Sequence, residues 1–170
     1  MKVVGIDPGI SGAYCILLEE ERPYIFSTPL VEGDFDAECL ATVARSNFDD
    51  IDLVVIEEQH AFPGYGPRCS RCHKPKFQEA PQRVFKSGYG YGLWVGVLAA
   101  LKISFKAVTA QEWKGPLGLS SDKKKSITKA QDLFPGVNLL RTPRCRVPDH
   151  NFAEALLLAV HARKIIRREE

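Results

Sequence analysis

The sequence predicts a mixed α/β domain built on a five-stranded sheet with flanking helices. Three observations predict it. The runs Val3-Val4-Gly5-Ile6 and Leu53-Val54-Val55-Ile56 are apolar apart from one glycine, as strands covered on both faces are. The first run is followed by a Pro-Gly turn and a second apolar run, the pattern of an antiparallel hairpin. The later strand-like segments are separated by helical patterns, which calls for parallel strands joined by crossover helices.

Residues 2–7 and 13–18 read as the two strands of that hairpin. Pro8-Gly9 is the turn signal, and Gly12 lets the chain double back. Arg22-Pro23 marks a second turn, and Tyr24 to Thr28 a third strand. Residues 34–46 place Phe35, Leu40, Val43 and Ala44 at helical spacing. The strand at 53–56 ends on Glu57-Glu58. Residues 60–81 read as loop, because Pro63, Gly64, Gly66, Pro67, Pro75 and Pro81 fall within them. Gln82 to Leu101 is helical, with Gly88, Gly90, Gly92 and Gly96 on it. Each glycine costs an isolated helix about 1 kcal/mol relative to Ala. Their density makes sense where a helix packs close to another backbone. Ile103 to Val108 reads as a further strand, and Thr109 and Ser120 or Ser121 as N-caps of two short helices. Pro135-Gly136 ends the second of these, 138–149 is loop, and 150–168 is a last amphipathic helix.

The 170 residues fit a single domain spanning 1–170, with a cysteine-bearing basic loop at about 60–81. The chain is 45% apolar and 26% charged, ordinary for a soluble globular protein. Its net charge of +2 does not announce nucleic acid, but the charges are clustered. Basic residues gather at 68–86, at Lys123-Lys124-Lys125, at 141–146 and at 163–168, and acids at 19–21, 32–38 and 49–58. One basic face is consistent with this, and so are four solvated surfaces. The N-terminus runs straight into a strand, no apolar run reaches transmembrane length, and the five cysteines are an odd number. The expectation is a reduced, cytoplasmic protein with no membrane partner.

Chemistry concentrates in carboxylates. Asp7 and Glu57 each close a buried strand, and a third acid, Glu154, lies four residues after His150 on one helix face. A carboxylate at the end of a buried strand is costly unless something positive satisfies it. Asp7 alone is explained as well by a turn-capping hydrogen bond. Three acids and an imidazole gathered together favour oxygen-loving Mg²⁺ ions. Glu58 competes with Glu57, but strand alternation lets only one face the site.

These residues carry a family resemblance. The stretches are Gly5-Ile6-Asp7-Pro8-Gly9, Val55 to Gly64, Gly88 to Gly96, Val108-Thr109-Ala110-Gln111-Glu112-Trp113-Lys114, and Ala153 to Ala159. In that order they resemble the RuvC-type Holliday-junction resolvases of the ribonuclease-H-like superfamily, in particular the phage-like branch. The resemblance implies a structure-selective endonuclease that resolves four-way DNA junctions as a homodimer. It implies two Mg²⁺ ions per site, replaceable by Mn²⁺, held by Asp7, Glu57, His150 and Glu154, and products with 5′-phosphate ends. In that branch the last helix opens with His-Asp-Gly; here the triplet is Asp149-His150-Asn151, so His150 stands where an acid is usual and Asp149 is the alternative. DNA contacts are expected from Phe62 or Tyr65, stacked on a base, and from Arg68, Arg71, Lys74, Lys76, Lys114, Lys123 and Lys124. The glycine-rich helix from Gly88 to Leu101 is the expected dimer contact, and Trp94 and Trp113 are expected in the core.

Cys69-Ser70-Arg71-Cys72-His73 departs from that pattern. Cys69, Cys72 and His73 have the composition of a Zn²⁺ site, but a structural site takes four ligands, so Cys145 or a second subunit would have to contribute. Two free thiols in a basic loop is the competing reading. The string also fits c-type haem attachment, which the missing export signal disfavours. Two other functions fit the same residues: a nuclease for flaps, forks or RNA–DNA hybrids, and a non-catalytic junction-binding protein.

Overall fold

The computed structural model describes residues 1–19, 21–60, 65–73, 75–77, 80–120 and 122–169. Strands β1 (Lys2–Asp7), β2 (Ala13–Leu18) and β3 (Tyr24–Ser27) form an antiparallel meander. A small hairpin of β4 (Leu30–Val31) and β5 (Asp34–Phe35) leads into helix α1 (Ala37–Asn47). Strand β6 (Leu53–Glu57) returns to the sheet beside β1, in parallel. A second hairpin, β7 (Tyr65–Arg68) and β8 (Pro75–Phe77), precedes the long helix α2 (Pro81–Ala100). Strand β9 (Phe105–Val108) adds in parallel to β6. Helices α3 (Ala110–Lys114), α4 (Lys123–Leu133) and α5 (His150–Glu169) complete the chain. The main sheet has the order β3-β2-β1-β6-β9.

The sheet is covered on both faces, which explains its apolar strands. Val3, Cys15, Leu17 and Val55 pack against Trp113, Ala130 and the buried side of α5 from Phe152 to Ala162. Val4, Ile6, Ile16, Val54 and Ile56 pack against Leu40 and Ala44 of α1 and Trp94 and Leu98 of α2. Both tryptophans are fully buried, as expected.

Helix α5 sits directly on β1. A Cβ at Gly5 would collide with the backbone of Ala155, Leu158 and Ala159. Glycine in the strand and alanine on the helix therefore let the two backbones touch.

Four expectations need correction. Asp34 and Phe35 pair as strand before the first helix begins, because Asp36 accepts the Cys39 amide and so caps the helix there. The stretch 60–81 is not all loop, since β7 and β8 pair within it. Asp122, rather than Ser120 or Ser121, caps α4: its carboxylate accepts from the Lys124 amide, while Ser120 accepts from the Asp122 amide; Ser121 lies outside the described residues. Among the described residues only Gly90 of the α2 glycines meets another backbone, at the Pro8 carbonyl, whereas Gly88, Gly92 and Gly96 have no neighbour within 4 Å.

Candidate active site

Strand parity decides which acids meet. Asp7 follows Val3 and Gly5 on the face of β1 that packs on α5, and Glu57 follows Leu53 and Val55 on the same face of β6. Ile6 pairs with Ile56 in parallel register, so Asp7 and Glu57 are the next residues of adjacent strands. Glu58 falls on the opposite parity and pairs with His60 at 3.3 Å. Helix α5, seated at Gly5, brings Glu154 toward them, close enough for its charge to act on both.

The electrostatics are those of anions short of positive charge. Burial pushes Asp7 up to about 6, and the Glu154 carboxylate adds to this against the Gly9 amide, Lys114 and Arg141. Burial, then the charge of Asp7, pushes Glu57 up to about 7. Asp7 Oδ1 also accepts the Gly9 amide at 3.3 Å, so it caps its turn as well.

Three side chains of α3 and α4 enter this site. Thr109 caps α3 in a reciprocal box with Glu112, whose carboxylate accepts the Thr109 amide at 2.6 Å. Val108 pairs with Glu57, so the box starts α3 right beside the second acid. Trp113 Nε1 then donates to Glu57 Oε2 at 3.3 Å, and Lys114 Nζ to Glu154 Oε1 at 3.0 Å. Ser126 of α4, fully buried, donates to the same Glu154 oxygen at 3.1 Å.

Asp149 is engaged elsewhere. It accepts Arg141 Nε at 2.7 Å and the Asn151 amide at 2.8 Å. Burial pushes its carboxyl up, but these two bonds and the Arg141 charge outweigh that and hold it below its usual range. Arg141 also donates to the Ser11 carbonyl at 2.6 Å and to Ser27 Oγ at 3.2 Å, and Asn151 Nδ2 to the Ser11 carbonyl at 2.8 Å. The start of α5 is thereby tied to the turn that carries Asp7. His150 is half-buried; burial first, then the charge of Lys123, lowers its pKa, which favours the neutral imidazole.

Oxygen ligands carrying uncompensated negative charge fit a hard divalent cation. Glu154, as it stands, spends one oxygen on Lys114 and Ser126. Among the described residues no three His, Cys, Asp or Glu side chains stand grouped to grip an ion. The fit is one of charge and donor chemistry, and Lys114 fills the cationic role.

Solved structures share this architecture over nearly the whole chain. RuvC of T. thermophilus in complex with a Holliday-junction substrate superposes with a TM-score of 0.62 at 16% identity, covering 99% of this chain and 96% of that one. A second Thermus thermophilus RuvC structure gives 0.59 at 18% identity, over 99% and 97%. The chain has the RuvC fold. The Fowlpox virus resolvase, solved with substrate Holliday-junction DNA, gives 0.54 at 15% identity, over 96% and 99%. At these identities the likeness establishes the ribonuclease-H-like fold. No family model matches the sequence, and no curated protein matches it in a sequence search.

The basic residues expected around this RuvC fold separate into groups. Phe62 and Lys74 lie outside the described residues, and Lys76 is on β8. Arg68 and Arg71 are exposed at the β7–β8 hairpin, where Arg68 Nη1 donates to the His73 carbonyl at 3.0 Å. Lys123 and Lys124 are exposed in the first turn of α4. Lysines are disfavoured at a helix N-terminus, so neither stabilises the helix there. Lys114 belongs to the acidic centre instead. Arg141, Asn151 and Ser126 were invisible to spacing arguments, because each acts on a residue distant in sequence or through the backbone.

Proposed function

We propose that this chain is a divalent-metal-dependent endonuclease that resolves four-way DNA junctions as a homodimer. The observation that carries the reading is that Asp7 and Glu57 end adjacent strands on one face and Glu154 of α5 acts on both, with burial and the neighbouring acids raising the first two. A protein that only bound DNA would gain nothing from buried acids beside a polyanion. Resolvase structures of the same fold were solved with junction DNA, which supports the choice of substrate.

Asp7, Glu57 and Glu154, with His150 as fourth ligand, would hold Mg²⁺ or Mn²⁺. Bound there, the ions would supply neutralisation of the phosphodiester, an activated water and stabilisation of the departing 3′ oxygen. The chain's own groups do the rest. Trp113 fixes the Glu57 carboxylate through its indole N–H. Arg141 and Asn151 hold the Asp7 turn against α5. Lys114 neutralises Glu154 in the resting protein and, once displaced from it, is a cation placed for the incoming phosphate. Arg68, Arg71, Lys123 and Lys124 contact the flanking backbone.

A second copy has a natural seat on α2. Gly88, Gly92 and Gly96 recur every four residues with open space above them, beside Phe85, which is 72% exposed and stacks on Tyr89. A four-way junction is two-fold symmetric, and two such protomers would present two acidic centres to it.

The test is a cleavage panel of four-way junction, flap, fork, RNA–DNA hybrid and linear duplex, with Mg²⁺, alongside Asp7→Asn and Glu57→Gln proteins. Paired nicks in the junction alone, lost in both variants, are expected. Preferred cleavage of flaps, forks or hybrids would assign a different substrate to the same acids. Tight junction binding without any Mg²⁺-dependent cleavage would refute the enzyme.

A further inference from the structure

Helix α4 carries none of the three acids, yet it turns one polar atom toward them. Ser126 and Ala130 stand one turn apart on α4, and both are fully buried. Ala130 packs in the cluster that holds the buried side of α5. A second alanine at 126 would fill that face equally well and favour the helix more. A serine or threonine inside a helix can turn its hydroxyl back to the carbonyl four residues earlier. Thr128 does so, donating to the Lys124 carbonyl at 3.2 Å. Ser126 reaches across to α5 instead and donates to Glu154 Oε1 at 3.1 Å. Lys114 Nζ donates to the same oxygen at 3.0 Å. Among the described residues nothing donates to Glu154 Oε2.

We propose that Ser126 is a positioning residue for the acidic centre: its hydroxyl pins Oε1 of Glu154 to α4 and leaves Oε2 for a divalent cation. This rests on the reading of the three acids as a cation site. The two donors on Oε1 respond differently to such an ion. Lys114 carries a like charge on a flexible stem, so it is repelled and free to swing away. The Ser126 hydroxyl is neutral, has a single short rotor and sits on a buried helix face, so it stays. Without it, Glu154 would be held only by the partner that the ion displaces. Hydrogen bonds to a ligating carboxylate fix its orientation, and losing one typically costs about 10–100-fold in metal affinity.

The test is Mn²⁺ titration of the DNA-free full chain, read by the paramagnetic resonance signal of unbound Mn²⁺. The binding that counts is the part lost in Asp7→Asn. Ser126→Ala should weaken it about tenfold or more. Ala130→Gly removes a methyl from the same helix face and no polar atom. It should lower the urea midpoint at least as far as Ser126→Ala does, yet leave Mn²⁺ affinity unchanged. Unchanged affinity in Ser126→Ala, or an equal loss in both variants, would overturn the positioning role and leave the cation site standing. Wild type that holds no more Mn²⁺ than Asp7→Asn would overturn the cation site itself, and the role with it.

Discussion

Asp7 and Glu57 are held in a place where burial makes their charge unwelcome. A carboxyl whose pKa is raised on folding binds its proton more tightly in the folded than in the unfolded chain, so its contribution to stability falls as pH rises through that window. For Asp7 the fall runs from about pH 4 to about 6, and for Glu57 on to about 7. His150 and His161, with lowered pKa values, act in the opposite sense, so the comparison must be made between proteins. In chelator at pH 8, Asp7→Asn should be more stable than wild type by on the order of 2 kcal/mol, with the gap closing toward pH 4.5. Denaturant unfolding at the two pH values measures it, and a variant less stable at pH 8 would contradict the electrostatic account.

Lys114 gives a second prediction at this scale. It occupies Glu154 at 3.0 Å, with both side chains mostly withdrawn from water. Lys114→Met should lower the Mg²⁺ concentration needed for half-maximal cleavage by several-fold, because the ion no longer displaces an ammonium. It should also reduce the maximal rate at least tenfold, as the phosphate loses a contact. A Mg²⁺ titration of junction cleavage separates the two effects. The three acids were legible in the sequence because each ends or lines an apolar pattern. Trp113, Ser126 and Arg141 were not assigned their roles, and Lys114 was read only as a DNA contact, since a side chain aimed at a carboxylate leaves no periodic trace. Trp113 reads as core and is core; only its one polar atom belongs to the site.

Among the elements, α5 and β1 set the geometry. Their backbones meet at Gly5, so there is no side chain to yield if that contact is filled. Gly5→Ala should cost at least about 3 kcal/mol, near the top of the range for overpacked cores, and push Glu154 away from Asp7. Urea unfolding together with cleavage measures both consequences; a loss below about 1 kcal/mol would mean the helix can shift freely. The strands and long helices were readable from apolar runs and helical spacing. The β7–β8 hairpin was not, because prolines and glycines at 63–81 mask a pairing of only a few residues. The glycines of α2 were read as one close contact. Gly90 makes such a contact, and the other three lie on the opposite, open side.

For the whole molecule, the proposed dimer would cover the exposed side of α2. Phe85→Glu/Gly92→Glu should convert a dimer to monomer, read by sedimentation, and replace paired junction cleavage by slow single nicks. The core beneath this surface is far from it in composition: Trp94 and Leu98 are sealed against the sheet, so the fold of the protomer should survive.

Gly5 and its seat at Ala155 to Ala159 also bind the two ends of the described chain to one another. Strand β1 and helix α5 are distant in sequence yet meet backbone to backbone. Such distant pairings are slow to form. In refolding from denaturant the acidic centre should therefore be completed late, when α5 docks on a sheet that already carries Asp7 and Glu57.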